Sequence, residues 1–231
     1  MPRPPRTATG GIVYHILNRA NAKMTIFGGE GDYQAFEDIL DAARQRTRTR
    51  LLAYCIMPNH WHLVVWPRAD GELSEFVRWL TLTHTQRWHA FRDSAGSGHV
   101  YQGRFRSFPV QSDEHLFTLC RYVERNPLRA GLVRTAEAWR WGSLWRRVHG
   151  SAAQRALLSD WPVTPPRGWL RLVNEPQTQA ELAAIRDAVQ RGRPYGEENW
   201  LRRTAARLSL EMTLRPRGRP RRSARNAQKG S

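Results

Sequence analysis

Met57-Pro58-Asn59-His60-Trp61-His62-Leu63-Val64-Val65-Trp66 is the stretch on which the fold turns. Pro58-Asn59 is a turn signal, and the aromatic and β-branched residues after it have the composition of a strand. Side chains alternate along a strand, so His60, His62, Val64 and Trp66 face one way and Trp61, Leu63 and Val65 the other. The two imidazoles then stand on one face with Cα atoms roughly 6.6 Å apart, close enough to converge on one cation. Two ligands are too few for a closed structural site. A pair with open positions suits a catalytic ion whose other ligands are water and substrate phosphate. Strand histidines at a sheet surface give the same pattern with no ion, so the stretch alone leaves both readings open.

Working outward, residues 51–56 read as a strand that forms a hairpin with 60–66 through the Pro58-Asn59 turn. Residues 12–18 (Ile-Val-Tyr-His-Ile-Leu-Asn) read as a first strand, and His15 on this candidate neighbouring strand merits a test. After the loop of Gly28, Gly29 and Gly31, Phe36, Ile39, Leu40 and Ala43 recur at helical spacing, predicting a helix over 32–48 with Asp32 as N-cap. Leu73, Phe76 and Leu80 predict a second helix over 72–91, and residues 93–98 a loop. A fourth strand is expected over 104–111. Strand, helix, strand, strand, helix, strand is the split βαβ order of an α+β, ferredoxin-like sandwich, an antiparallel sheet with helices on one face. A third helix follows, from 112 or 113 to 126, with Leu116, Leu119, Cys120 and Val123 buried. Pro127 is expected to end it. Tyr122 and Asn126 are four apart, hence neighbours on the flank of that stripe. Trp139, Trp141 and Trp145 predict one more packed helix.

The expected division is a catalytic domain over 1–149, a mainly helical basic extension over 150–212 and a flexible basic tail over 213–231. The extension holds a Pro-rich linker (162–168), a short helix (181–190) and a basic helix (197–210). Arg191-Gly192-Arg193-Pro194 and Arg217-Gly218-Arg219-Pro220 repeat the same four residues. That sequence is extended and narrow, suited either to lying in an A·T-rich minor groove or to serving as a solvated linker.

Lys plus Arg number 37 against 20 Asp plus Glu, a net charge of +17, and there are ten Trp. Nearly all the basic residues are Arg, which forks onto phosphates and stacks on bases. This charge with this aromatic content points to a nucleic-acid partner. Cys55 and Cys120 sit in apolar runs with no disulfide or zinc spacing, which fits a reducing compartment. No signal-peptide core or membrane-length apolar run is seen. The expectation is a cytoplasmic, nucleoid-associated protein with no membrane or small-molecule partner, a monomer or weak dimer.

Met57-Pro58-Asn59-His60-Trp61-His62-Leu63, joined to Arg121-Tyr122-Val123-Glu124-Arg125-Asn126-Pro127-Leu128-Arg129-Ala130-Gly131-Leu132-Val133, resembles the REP-associated tyrosine transposases. These are a branch of the single-tyrosine HUH nucleases. Residues 11–18, Gly103-Arg104-Phe105-Arg106-Ser107 and the Gly-Arg-Pro segments extend the likeness over almost the whole chain. The resemblance implies cutting and rejoining of single-stranded DNA hairpins, the repetitive extragenic palindromes. Mg2+ or Mn2+ held by His60 and His62 would withdraw charge from the scissile phosphate. Tyr122 would attack as nucleophile, giving a 5′-phosphotyrosine and a free 3′-hydroxyl. Asn126 matches the place of a third, amide or carboxylate, ligand; its alternative role is to terminate the helix. Arg104 and Arg106, sharing a face of the fourth strand, could meet phosphates or stack on unpaired bases. Arg3, Arg6, Arg193, Arg217, Arg219 and Arg221 could clamp the hairpin and its flanks. Glu124 and Arg125 read as surface residues, and the remaining histidines as structural. The competing class is a non-catalytic ferredoxin-like domain that binds single-stranded nucleic acid. A metal-independent phosphoesterase would need a second His-x-Thr or His-x-Ser strand, which is not found.

Overall fold

The computed structural model describes residues 8–215. Four strands, β1 (Val13–Arg19), β2 (Arg50–Met57), β3 (His60–Trp66) and β4 (Arg106–Val110), form one antiparallel sheet in the order β2-β3-β1-β4. This is the ferredoxin-like arrangement. Helices α1 (Glu30–Thr47) and α2 (Glu72–Phe91) cover one face. There Phe36, Ile39, Leu40, Phe76 and Leu80 pack on Ile16, Trp61, Leu63 and Val65. The opposite face, with Val13, Cys55, Val64, Phe108 and Val110, lies under Leu116, Leu119, Cys120 and Val123 of α3 (Glu114–Glu124). Both faces of the sheet are therefore dry over most of their area, and the histidine face is the one α3 covers. A register shift between Leu51 and Ala53 puts an extra residue into β2. It lets Leu52 and Ala53 both join the α3-side core while Leu51 stays on the α1 side.

Local differences from the sequence reading have local causes. Gly29 caps α1, and Asp32 lies inside the first turn, where its Oδ2 accepts from the Gly28 amide at 2.8 Å and pairs with Arg92. Arg104 precedes β4 rather than lying on it, because β1 pairs with β4 only as far as Leu17 opposite Arg106. Arg104 and Arg106 therefore do not share a strand face. Pro127 does not end the helical path. After Arg125 the chain makes one more turn, α4 (Asn126–Arg129), with Pro127 in the first turn, where a missing N–H costs nothing.

Five further helices follow: α5 (Ser143–His149), α6 (Ala152–Arg155), α7 (Trp169–Asn174), α8 (Gln179–Arg191) and α9 (Glu198–Arg207). The extension packs into the body of the protein. Ile185 and Ala188 of α8 enter the α3-side core, and Leu157 and Leu208 the other. Tyr195 adds a parallel bridge to Val110 at the β4 edge, its amide donating to Pro109 at 2.9 Å. The first Arg-Gly-Arg-Pro copy is not extended. Arg191 is the last residue of α8, and Gly192, at φ 69°, supplies the left-handed C-cap that turns the chain toward Tyr195. The second copy and the tail beyond residue 215 lie outside the described residues, as do Arg3 and Arg6. No helix among the described residues is long and apolar enough to cross a membrane.

Candidate active site

His60 and His62 stand on the α3 face of β3 with ring centroids 5.1 Å apart. Each has one ring nitrogen already engaged. His60 Nδ1 lies 2.7 Å from Asn59 Oδ1, which can only accept. Asn59 Nδ2 in turn donates to the Lys23 carbonyl at 3.3 Å, tying the hairpin turn to the loop after β1. His62 Nδ1 lies 2.9 Å from His15 Nε2 on the neighbouring strand. Among the described residues nothing bonds the Nε2 atoms of His60 and His62. Burial keeps all three rings neutral. It lowers His15 to about 3 and, helped by the charges of Arg19 and Arg129, His60 to about 4. His62 lies well below the ordinary histidine value through burial, then the neighbouring histidines and the same two arginines. Neutral rings offer lone pairs.

Tyr122, on α3, brings its ring edge-on to His62 with centroids 5.9 Å apart. Its hydroxyl has no hydrogen-bond partner among the described residues. Arg129, from the turn that Pro127 opens, lays its guanidinium over the Tyr122 ring at 4.2 Å. The same group donates to the Tyr122 carbonyl at 3.4 Å and to Asn126 Oδ1 at 2.8 Å. Asn126 is buried, and its Nδ2 has no partner among the described residues. The structure thus sets Tyr122 against His62, 60 positions earlier in the chain, with His60 beside His62; Asn126 follows one turn later, tied to Arg129.

The register extends the same face toward β4. Arg19 is the cross-strand partner of His60, Leu17 that of His62, and Arg106 that of Leu17. Arg19 and Arg106 therefore lie on the histidine side of the sheet. A cleft of about 1230 Å³ follows the β4 edge, lined by Leu17, Arg19, Arg104, Arg106, Phe108 and Arg191 among others. Arg104 and Arg106 are exposed there. Arg193 instead pairs with Asp187 at 3.5 Å. Arg19, Arg129 and Asn59 were not singled out from the sequence. The parity of β1 carried the signal for Arg19, since 15, 17 and 19 share a face once His15 does.

Glu124 is not a surface residue. Its carboxylate is buried, with Oε1 accepting from Ser143 Oγ at 2.6 Å and Oε2 from Trp169 Nε1 at 2.8 Å, and burial raises its pKa. Arg121 and Arg125 both turn toward the segment after α7. Arg121 donates to the Glu175 and Pro176 carbonyls, and Arg125 to Glu175, each at 2.9 Å. Among the described residues, one three-donor group of acidic and histidine side chains, Asp113, Glu114 and His115, lies at the start of α3. Asp113 is the N-cap, and its Oδ1 already accepts from the His115 amide and faces His115 Nδ1, both at 2.9 Å.

Comparison with known proteins bears on the fold and the family. No curated protein matches the chain in sequence. Among solved structures, a REP-associated tyrosine transposase bound to a REP hairpin is similar in fold, with a TM-score of 0.53 and 15% identity, covering 78% of this chain and 99% of that one. A candidate transposase from Deinococcus radiodurans aligns over 54% of this chain and 96% of its own at 15% identity, with a TM-score of only 0.38. Residues 8–126, which run from before β1 through Tyr122 to Asn126, match the family described as IS200-like transposases. The chain belongs to the IS200-like transposase family.

Proposed function

We propose that the protein cuts and rejoins single-stranded DNA at hairpins of the repetitive extragenic palindrome type, with Tyr122 as nucleophile. The observation that carries this reading is the placement of the Tyr122 ring against His62, with its hydroxyl unengaged. Tyr122 Oη attacks the scissile phosphorus, and the bond from phosphorus to the 3′ oxygen breaks. The phenolic proton leaves to solvent, and the departing oxygen takes one up as a 3′-hydroxyl. The product is a 5′-phosphotyrosine, which a second 3′-hydroxyl attacks in the reverse sense; bond energy is conserved, so joining needs no nucleotide cofactor. Arg129 supports the attack by holding the ring and placing positive charge beside it as the oxygen becomes anionic.

The donor set fits Mg2+ or Mn2+, with His60 and His62 contributing Nε2 and Asn126 its amide oxygen, which keeps a second lone pair beyond the Arg129 bond. When bound, such an ion supplies charge withdrawal and orientation at the phosphate. Arg104 and Arg106 receive the strand along the β4 edge. Arg3, Arg6, Arg193, Arg217, Arg219 and Arg221 add contacts to the hairpin, Arg193 after release from Asp187. The catalytic unit is residues 1–149 and the extension 150–212 its support.

The test is incubation of wild type and Tyr122→Phe with labelled hairpin oligonucleotides carrying single-stranded flanks. Wild type is expected to give a covalent protein–DNA adduct on a denaturing gel. Tyr122→Phe is expected to bind the hairpin but give no adduct. An adduct that survives the substitution removes Tyr122 from the chemistry, and binding without any cleavage by wild type favours a non-catalytic DNA-binding domain.

A further inference from the structure

We propose that the histidine pair takes up its divalent cation together with a DNA phosphate rather than before it, because Arg19 and Arg129 make the site cationic in the free protein. The proposal rests on the metal assignment above and concerns what regulates that site.

Every donor in the site is neutral: two imidazoles and one amide. Small hard cations such as Mg2+ usually take one or two carboxylates from the protein, with substrate phosphate and water completing the shell. Among the described residues the ring partners of His60 and His62 are Asn59 and His15, and no carboxylate bonds either ring. The charged side chains whose fields reach both rings are Arg19 and Arg129. The carboxylates carried by α3 are committed elsewhere. Glu124 is bound to Ser143 and Trp169, and Asp113 and Glu114 are at the far end of the helix, roughly 12–14 Å from Tyr122 along its axis.

Neither arginine is neutralised. Arg19 is exposed, and its guanidinium makes no hydrogen bond or ion pair among the described residues. Other arginines facing the surface do find acids, as Arg44 finds Asp41 and Arg92 finds Asp32. Arg129 stacks on the Tyr122 ring and bonds Asn126, contacts that hold its charge beside the site. A doubly charged ion entering this partly buried site meets like charges where screening is weak. A phosphate reverses the balance: it is anionic, it accepts from guanidinium, and its oxygen can join the metal shell. Binding of ion and phosphate should then be mutually favourable, and by linkage each must raise the other's affinity by the same factor.

The experiment uses full-length Tyr122→Phe protein, which cannot cleave, and follows free Mn2+ by its paramagnetic resonance signal. With a DNA hairpin bearing single-stranded flanks, Mn2+ affinity is expected to rise about tenfold or more, and Mn2+ to raise hairpin affinity by the same factor. Arg19→Gln should tighten Mn2+ binding to the DNA-free protein and shrink the coupling. Arg46→Gln, on α1 across the sheet, changes net charge equally and should do neither. Equal Mn2+ affinity with and without DNA overturns the proposal, as does an Arg46→Gln effect matching Arg19→Gln. Mn2+ binding that His60→Ala with His62→Ala leaves untouched is a different failure: it overturns the metal assignment itself, and the coupling with it.

Discussion

His15 Nε2 and His62 Nδ1 lie 2.9 Å apart across the β1–β3 seam, a hydrogen bond between two buried, neutral rings. One nitrogen must carry the proton and the other accept it. With His62 donating, its Nε2 keeps the lone pair a cation needs. His15→Phe retains a ring against Phe108, 4.9 Å away between centroids, but removes the acceptor. Mn2+ affinity measured in the presence of hairpin DNA should fall by about 10–100-fold. Unchanged affinity would show that His62 needs no orienting partner.

Glu124 anchors the tyrosine helix to α5 and α7 through one donor on each oxygen. Glu124→Leu removes both acceptors and leaves the Trp169 indole N–H and the Ser143 hydroxyl without theirs. A loss of about 1–3 kcal/mol in denaturant unfolding is expected. Cleavage per folded molecule should change little, because the carboxylate bonds Ser143 and Trp169 rather than Tyr122 or the histidines.

Arg121 and Arg125 lie one helical turn apart and hold the Glu175 carbonyl between them. Replacing Arg121 by Met leaves the Glu175 and Pro176 carbonyls short of a charged donor. Hydrogen exchange should quicken in both α3 and α7, with the melting temperature lowered. Exchange that quickens in α7 alone would mean α3 is held by its own core.

His84 is buried between Phe27, Phe36 and Tyr101, and burial lowers it from 6.5 to about 4. The unfolded chain therefore binds a proton over a range where the folded one does not. His84 supports stability fully above about pH 6.5, and that support drains as pH falls toward about 4. His84→Gln keeps an acceptor for the Tyr101 hydroxyl and removes the titration. Its unfolding free energy should depend less on pH between these limits, and a slope identical to wild type would assign the effect to other groups.

What was legible in the sequence follows strictly local rules. β3 begins at His60 and ends at Trp66 as read, because strand parity is set residue by residue, and α2 spans residues 72–91 as read. Asp32 looked like a cap because its type suits one, but Gly29 three residues earlier already had the extended backbone a cap requires. Glu124 looked exposed because its burial depends on Trp169, 45 residues later in the chain. Arg129 lay beyond a proline expected to stop the helix. Its reach back to Tyr122 exists only because α4 resumes the same helical path. Arg19 needed the pairing of β1 with β3, which a hairpin does not dictate since α1 and β2 intervene.

The clasp of Arg121 and Arg125 on residues after α7 also bears on how the molecule can be divided. The family match stops at Asn126, yet a fragment expressed to that boundary would strip the tyrosine helix of Trp169, Ile185 and Ala188 and bare its apolar flank. Aggregation, rather than a minimal nuclease, is the expected product of such a truncation.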